Sequence, residues 1–598
     1  MSDSKNMILA VALSALVLIG WGLVTETWFP TANPPVTKIE DGKEVVLPQP
    51  QASPAGAVTP TAIRDREQVL RATAGQRVAI ATPRLAGTIN LRGARVDDLV
   101  LLGERETIDP NSPPVRLFSP SGTPQSYFGE FGWIGAQGAV PTDATLWQSS
   151  GGRLTPETPV TLSWDNGRGQ LFQILLSVDA DYMFRAEQRI VNRGPERFTA
   201  SPYALVSRVG GTRVREHDSW TVHIGPMGVF DGAANYSNNF DTVSEAGQVR
   251  FDSTGGWIGF TDQYWLAAVV PVQGGSPIAA EFRHVAGTDR FQASYVAQPV
   301  SAAPGRAALY TFRLFAGAKE VQLLDRYSAE LGTPLEQAID WGWFEWFMIP
   351  IFALLNWLFL TIGNFGVAII ALTLIVRLLL FPIAQKQFAS FAKMRVIQPK
   401  MKALQERHAD DKPRLQQEML KLYKEEKVNP MQGCLPILLQ IPIFYALYKV
   451  LLISVEMRHE PFALWIRDLS APDPLSPVNL FGYLDFTPPS LLAIGILPIL
   501  LGITMWLQFK LNPQMPDPVQ RQIFALMPWI LMFAMATFAA GLQLYWVTNN
   551  ILTIAQQKWL YMRHPVPVPP EPVPLPIPPP SAAGSAGPRK GKKPPRAR

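Results

Sequence analysis

The chain has 598 residues, 47% of them hydrophobic, and a formal net charge of +5. That length calls for more than one domain, and the apolar residues are gathered near the start and after residue 340, with an ordinary soluble composition between. A single cysteine, Cys434, excludes an intramolecular disulfide, and no Cys/His cluster has the spacing of a structural zinc.

The first apolar run is MILAVALSALVLIGWGLV, residues 7–24, which carries no charge. It is long enough to span a bilayer. The TETWFP that follows is not a small-residue cleavage site, so residues 1–29 are expected to be an uncleaved N-terminal transmembrane anchor. Residues 30–60, rich in Pro, Ala and Val and poor in pattern, read as a linker. From 61 to 334 the pattern turns to strands. RVAIATPRLAGTINL and GQLFQILLSVDADYMFRAEQRIV contain alternating apolar positions, and DNGRG (165–169) is a turn signal. Many short strands with Gly and Pro punctuation predict a large β-sandwich. It holds no metal spacing, nucleophile elbow or phosphate loop, so a scaffold or docking domain is the default reading.

After residue 340 comes WGWFEWFMIPIFALLNWLFLTIGN (341–364), then apolar runs near 365–383, 434–454, 489–507, 521–538 and 540–557. Between Gln385 and Pro430 there are 11 Lys/Arg against 6 Asp/Glu, which favours the cytoplasm. In the loop 455–488 acidic residues outnumber Arg458 and Arg467, as suits an outside loop. With the N-terminus inside and the β domain outside, 365–383 must run inward, and 341–364 cannot also cross. Trp341, Trp343, Trp346 and Trp357 suit the headgroup level and Pro350 would kink the segment. Residues 335–363 are therefore expected to form an interfacial amphipathic helix on the outer surface.

The expected whole is a multi-domain membrane protein. After the anchor and the outside sandwich come transmembrane helix 2 at 364–384, a cytoplasmic helical hairpin at 385–430 and transmembrane helices 3–6 within 431–560. That makes a membrane core of five helices, with both termini cytoplasmic. The hairpin reads from QKQFASFAKMRVIQPKMKALQER and PRLQQEMLKLYKEEK flanking the polar turn HADDK. Its charges either solvate its faces or dock anionic lipid, ribosomal RNA or a partner protein. Residues 561–598 are proline-dominated and end in six Lys/Arg, the composition of a disordered basic tail.

Arg377 stands inside the apolar stretch ALTLIVRLLLFPI. A charge near the bilayer centre costs roughly 2.5–3.5 kcal/mol, and arginine cannot shed its proton. It can snorkel to the interface, pair with a carboxylate or line a wet cavity. The other four core spans carry no Asp or Glu in their apolar stretches. Gln385 is eight residues away, about 12 Å of helix and long for snorkelling. Thr373 sits at i−4 on the same face. Gln440 interrupts PILLQIPIF, and Gln543, Tyr545, Thr548 and Asn549 interrupt the last helix. Lone polar residues of this kind usually bond neighbouring helices; gathered at one arginine they make a hydrophilic groove. Pro436, Pro442 and Pro498 would loosen the helices around it.

GNFGVAIIALTLIVRLLLFPIAQKQFASFAKMRVIQPKMKALQER, KVNPMQGCLPILLQIPIFYALYKVL, PFALWIRDLSAPDP, GLQLYWVTNNILTIAQQ and GGWIGFTDQYWLAAVVP (255–271) resemble the YidC/Oxa/Alb family of membrane insertases. The resemblance implies a multi-pass protein of a bacterial inner membrane, with a periplasmic β-supersandwich, an interfacial helix, a cytoplasmic hairpin and a five-helix core. It implies that Arg377 is a groove arginine with Thr373 and Gln440 nearby, and that Tyr545 and Trp546 form an aromatic pair, Trp546 standing where tyrosine is often seen. The function implied is insertion and folding of nascent inner-membrane proteins, alone or beside the Sec translocon, without enzymatic catalysis or cofactor. The partners implied are nascent membrane polypeptides, the ribosome, Sec translocon components and membrane lipids; DNA is not among them. A solute transporter would call for an internal repeat, and none relates 365–454 to 489–557. An enzyme or lectin in residues 60–330 would call for a catalytic constellation that the sequence does not contain.

Overall fold

The computed structural model describes residues 39–40, 43–44 and 64–563, except 137, 211–221, 276, 409–410, 427–434, 485, 487–488, 490–492 and 512–517. The expected anchor and the basic tail after Arg563 lie outside the described residues. Within the expected linker, Ile39–Glu40 pairs antiparallel with Lys43–Glu44.

The chain divides into two compact units. The first holds the described residues up to Leu379 together with those in Leu438–Met505 and Met527–Ile551; the second holds those in Leu380–Ile437, Trp506–Leu526 and from Leu552 on.

In the first unit, two large sheets of 9 and 11 strands make the β-sandwich. Strand Gln170–Val178 alternates strictly between buried and half-buried positions, as its sequence predicts. It pairs antiparallel with Val160–Asp165 across the DNGRG turn, where Gly167 and Gly169 take positive φ. The sheets meet closely. A Cβ on Gly129 of one would stand 2.6 Å from Leu314 Cδ2 of the other, and Trp133 packs edge-on against Phe172 at 5.2 Å. Aromatic side chains fill the space, with Phe118, Phe172, Phe184, Phe260, Phe312 and Phe315 wholly buried. Each such burial contributes about 1.5–3 kcal/mol before packing is counted. Buried charges inside the sandwich are matched: Arg77 pairs with Asp97 at 2.6 Å, and Glu130 takes both Arg95 at 2.5 Å and the Tyr203 hydroxyl at 2.7 Å.

Two short helices, α1 (Arg66–Ala72) and α2 (Phe240–Ala246), flank the sheets, and α3 (Val321–Leu331) follows the last long strand. Next come α4 (Glu345–Ile362), α5 (Phe365–Leu379), α6 (Phe381–Arg407), α7 (Lys412–Glu425), α8 (Leu435–Ile453), α9 (Ile496–Leu511), α10 (Pro518–Met535) and α11 (Ala540–Arg563). Among the described residues α4 is the one helix that by itself is long and apolar enough to cross a bilayer. That criterion does not separate crossing from lying flat. Trp346 and Trp357 on the helix and Trp343 just before it are exposed, but Trp341 is buried, its ring 5.6 Å from Phe352. The expected place of Trp341 at the headgroup level is corrected, because its ring folds back onto the helix it precedes.

Within the expected transmembrane helix 2, at 364–384, the helix is broken. Helix α5 ends at Leu379 and α6 begins at Phe381 with Pro382 in its first turn. Proline lacks the amide that would continue the ladder and disfavours helix before it. Arg377 therefore lies in the last turn of α5, where a cation also suits the helix dipole.

In the second unit, α6 and α7 form the predicted αα-hairpin. Ile397, Met401 and Leu422 are its buried centre, with Met394, Leu404, Met419 and Tyr423 packed around them. Asp411 caps α7 by accepting from the Arg414 amide at 3.1 Å. Lys400 pairs with Glu426 at 2.5 Å.

Candidate functional site

The site is built where α5, α8 and α11 present their polar side chains. The Arg377 Nε donates to Asn549 Oδ1 at 2.7 Å and its Nη2 donates to the Asn549 carbonyl at 3.2 Å. The guanidinium is thus aimed across to α11 and anchored by two neutral acceptors. These hold its orientation without cancelling its charge. One turn earlier on α11, the Tyr545 hydroxyl accepts from Gln440 Nε2 of α8 at 2.5 Å. Tyr545 and Asn549 are four apart and share a face, so the two hydrogen bonds stack along α11. Asn549 and Tyr545 are buried, whereas Arg377 and Gln440 keep partial exposure.

The other expected site residues lie differently. Thr373 is buried and its hydroxyl donates to the Ile369 carbonyl at 2.7 Å, within its own helix. The half-buried Trp546 packs edge-on against Phe444 of α8 at 4.8 Å. Gln543 donates to the Met535 and Phe538 carbonyls, both at 2.8 Å, and so closes the turn between α10 and α11. Asn550, which the sequence reading did not single out, donates to Thr504 Oγ1 of α9 at 3.1 Å.

Asn549, the residue that holds the arginine, was legible only as one polar interruption among several. Its better signal is spacing: Tyr545, Asn549, Thr553 and Gln557 recur every fourth position. Lys449 was missed altogether inside an apolar run. Its ammonium is buried and lies 3.4 Å from Asp340 Oδ2, which also accepts the His223 amide at 3.2 Å.

Near that ion pair the helices meet the sandwich through the GGWIGFTDQYWLAAVVP hairpin. Strands Trp257–Thr261 and Trp265–Val270 pair there, and Gln263 at the turn donates to the Leu452 carbonyl at the end of α8, 2.7 Å away. Arg458 lies over the rings of Tyr264 and Trp265, at 5.7 and 5.4 Å, and faces Glu104 at 3.4 Å. Glu456 accepts from the Val321 amide at the start of α3, at 2.9 Å. Burial raises this carboxyl to about 7, and the negative Glu320 and Glu104 add to the rise, against the lowering by the Val321 amide. Beneath the hairpin, burial lowers the Lys319 ammonium to about 8, while it donates to Thr261 Oγ1 at 2.9 Å and the Ala338 carbonyl at 3.2 Å.

A β-sandwich joined to a set of apolar helices that carry an anchored arginine defines a class: proteins that combine a large sandwich scaffold with an apolar helical bundle holding a polar site. Known proteins make the class specific. The family described as 60Kd inner membrane protein matches residues 357–566, and the YidC periplasmic domain matches 77–354. The membrane protein insertase YidC of Zymomonas mobilis is 46% identical over 94% of this chain and 96% of its own. Those of Bradyrhizobium diazoefficiens and Rhizobium meliloti are 42% and 44% identical, each over 95% of this chain and 97% of their own. A crystal structure of an active YidC insertase aligns with 92% of this chain and 99% of its own at 19% identity, with a TM-score of 0.35. The chain belongs to the YidC family of membrane protein insertases.

Proposed function

We propose that this chain inserts and folds nascent inner-membrane proteins through a hydrophilic groove open to cytoplasm and lipid, alone or with the Sec translocon. The observation that carries the groove is the orientation of Arg377: a permanent cation inside an apolar helix, turned to neutral acceptors on α11 beside the Gln440–Tyr545 hydrogen bond. Such a group attracts the polar or acidic end of an incoming segment. It also shortens the nonpolar distance that end must cross, which lowers its desolvation cost.

In this reading the hairpin receives the nascent chain at the ribosome and anionic lipid, Arg377 and Gln440 line the groove, and the segment leaves sideways into lipid past Trp546. The chain is multi-pass with both termini in the cytoplasm and the sandwich in the periplasm, as the basic hairpin segment favours. The work is binding and release rather than catalysis, drawing on client hydrophobicity and the membrane potential.

The test is site-specific photocrosslinking from positions 373, 440 and 546 to a stalled nascent membrane protein in native vesicles. Crosslinks from 440 and 546 are expected. Labelling confined to the lipid-facing side of the bundle would overturn the groove.

A further inference from the structure

We infer that residues 478–484 and Phe486, on the loop between α8 and α9, form an apolar keel that beds in the outer-leaflet interface of the membrane. The inference rests on the orientation proposed above, which puts this loop outside.

The root of the loop is pinned. Buried Asp473 accepts from Trp465 Nε1 at 3.0 Å and the Leu475 amide at 3.1 Å through Oδ1, and from the Leu497 amide at 2.8 Å through Oδ2. One carboxylate therefore ties residue 475 to residue 497 at the start of α9. A Cβ on Gly495 would stand 2.6 Å from Asp473 Cβ, so the two ends approach closely.

Its described apex is turned outward. Leu480 is 54% exposed, Phe481 48%, Tyr483 89% and Phe486 47%, with Val478 and Leu484 also exposed. A compact surface loop ordinarily packs its own apolar side chains inward. Here Leu480 and Phe481 hold consecutive left-handed conformations, φ 49° and 60°. That conformation is costly for bulky residues and persists where surroundings impose it.

Three observations identify lipid as the occupant. First, from Pro474 to Phe509 the sequence carries one charge, Asp485, which suits an apolar medium better than a water-facing loop. Second, two phenylalanines and a tyrosine stand together, the aromatic composition of the headgroup belt. Third, α9 has 16 residues, about 24 Å of helix against a hydrocarbon core of about 30 Å. The keel sits at the end of α9 that faces out and supplies apolar surface in the layer the helix does not reach. Leu500 and Ile503 on α9 itself are also exposed.

The test uses the full chain with Cys434→Ser, reconstituted in vesicles of phosphatidylethanolamine and phosphatidylglycerol. Spin labels are placed one at a time at Leu480→Cys, Tyr483→Cys and Phe486→Cys, with Ile503→Cys as the lipid standard and Glu157→Cys as the aqueous one. Power saturation compares collision with oxygen and with a water-soluble nickel chelate. At the keel, oxygen is expected to dominate several-fold, as at position 503. Nickel dominating as at position 157, or neither reagent reaching the label because protein covers it, would overturn the keel. Arg467→Cys, probed with an impermeant maleimide from each side, separates the two hypotheses. Reaction from the cytoplasmic side alone would overturn the orientation and the keel with it, whereas an outside Arg467→Cys with an aqueous Tyr483→Cys label overturns the keel alone.

Discussion

Two of the Arg377 donors are committed to one asparagine, so the charge and its anchorage can be separated by substitution. Arg377→Lys keeps the charge but loses the forked geometry. It is expected to retain part of the insertion of a client with an acidic outer tail, whereas Arg377→Ala loses most of it. Asn549→Ala keeps the cation and its backbone acceptor but removes the Oδ1 acceptor, at a cost of about 1–3 kcal/mol, and is expected to fall between them. Protease protection of pulse-labelled clients reads all three; equal insertion in every variant would remove the arginine from the mechanism. At Glu456 the folded carboxyl is raised from 4.5 to about 7, so the folded state favours the protonated form. The stability it contributes is full below pH 4.5, declines between 4.5 and about 7, and levels off above. The protection factor of the Val321 amide should fall over that range in the native protein. It should stay flat in Glu456→Gln.

Among the elements, the strands and the hairpin follow local rules closely. The alternation of Gln170–Val178 sets a buried face because side chains on a strand point to opposite sides in turn. Gly256 shows what the same pattern hides. Its φ is +94°, and a Cβ there would stand 1.8 Å from the Val229 carbonyl oxygen. Gly256→Ala is expected to destabilise the sandwich by about 1–3 kcal/mol, read as a lower midpoint of thermal unfolding. In the helical hairpin, Leu422→Ala removes a buried side chain and is expected to cost about 2–5 kcal/mol. Lys400→Ala breaks a largely exposed ion pair worth no more than about 1 kcal/mol. Limited proteolysis at the 408–411 turn should therefore quicken far more in the first variant than in the second. The break between α5 and α6 was foreshadowed only by Pro382, which an apolar count passes over.

For the molecule as a whole, specific contacts join the sandwich to the helical region of the same unit, among them Gln263 to the end of α8 and Arg458 over Tyr264 and Trp265, and Lys449 of α8 pairs with Asp340 just before α4. Lys449→Met is expected to be milder than Asp340→Asn, because removing the acid takes the negative charge from beside a buried ammonium. Thermal unfolding in detergent ranks the two, and the reverse order would place the cost elsewhere. The sequence by itself determined the β-sandwich, the helical hairpin, the apolar helices and the isolated charge at Arg377. These rest on periodicity, composition and charge, which are properties of neighbouring residues. Only the tertiary structure decided that Asn549 holds the arginine, that Thr373 bonds back to its own helix, that Trp341 is buried and that Lys449 finds Asp340. Each depends on which side chains, 100 residues or more apart in some cases, are brought within hydrogen-bond reach, and a hydrogen bond acts over about 3 Å.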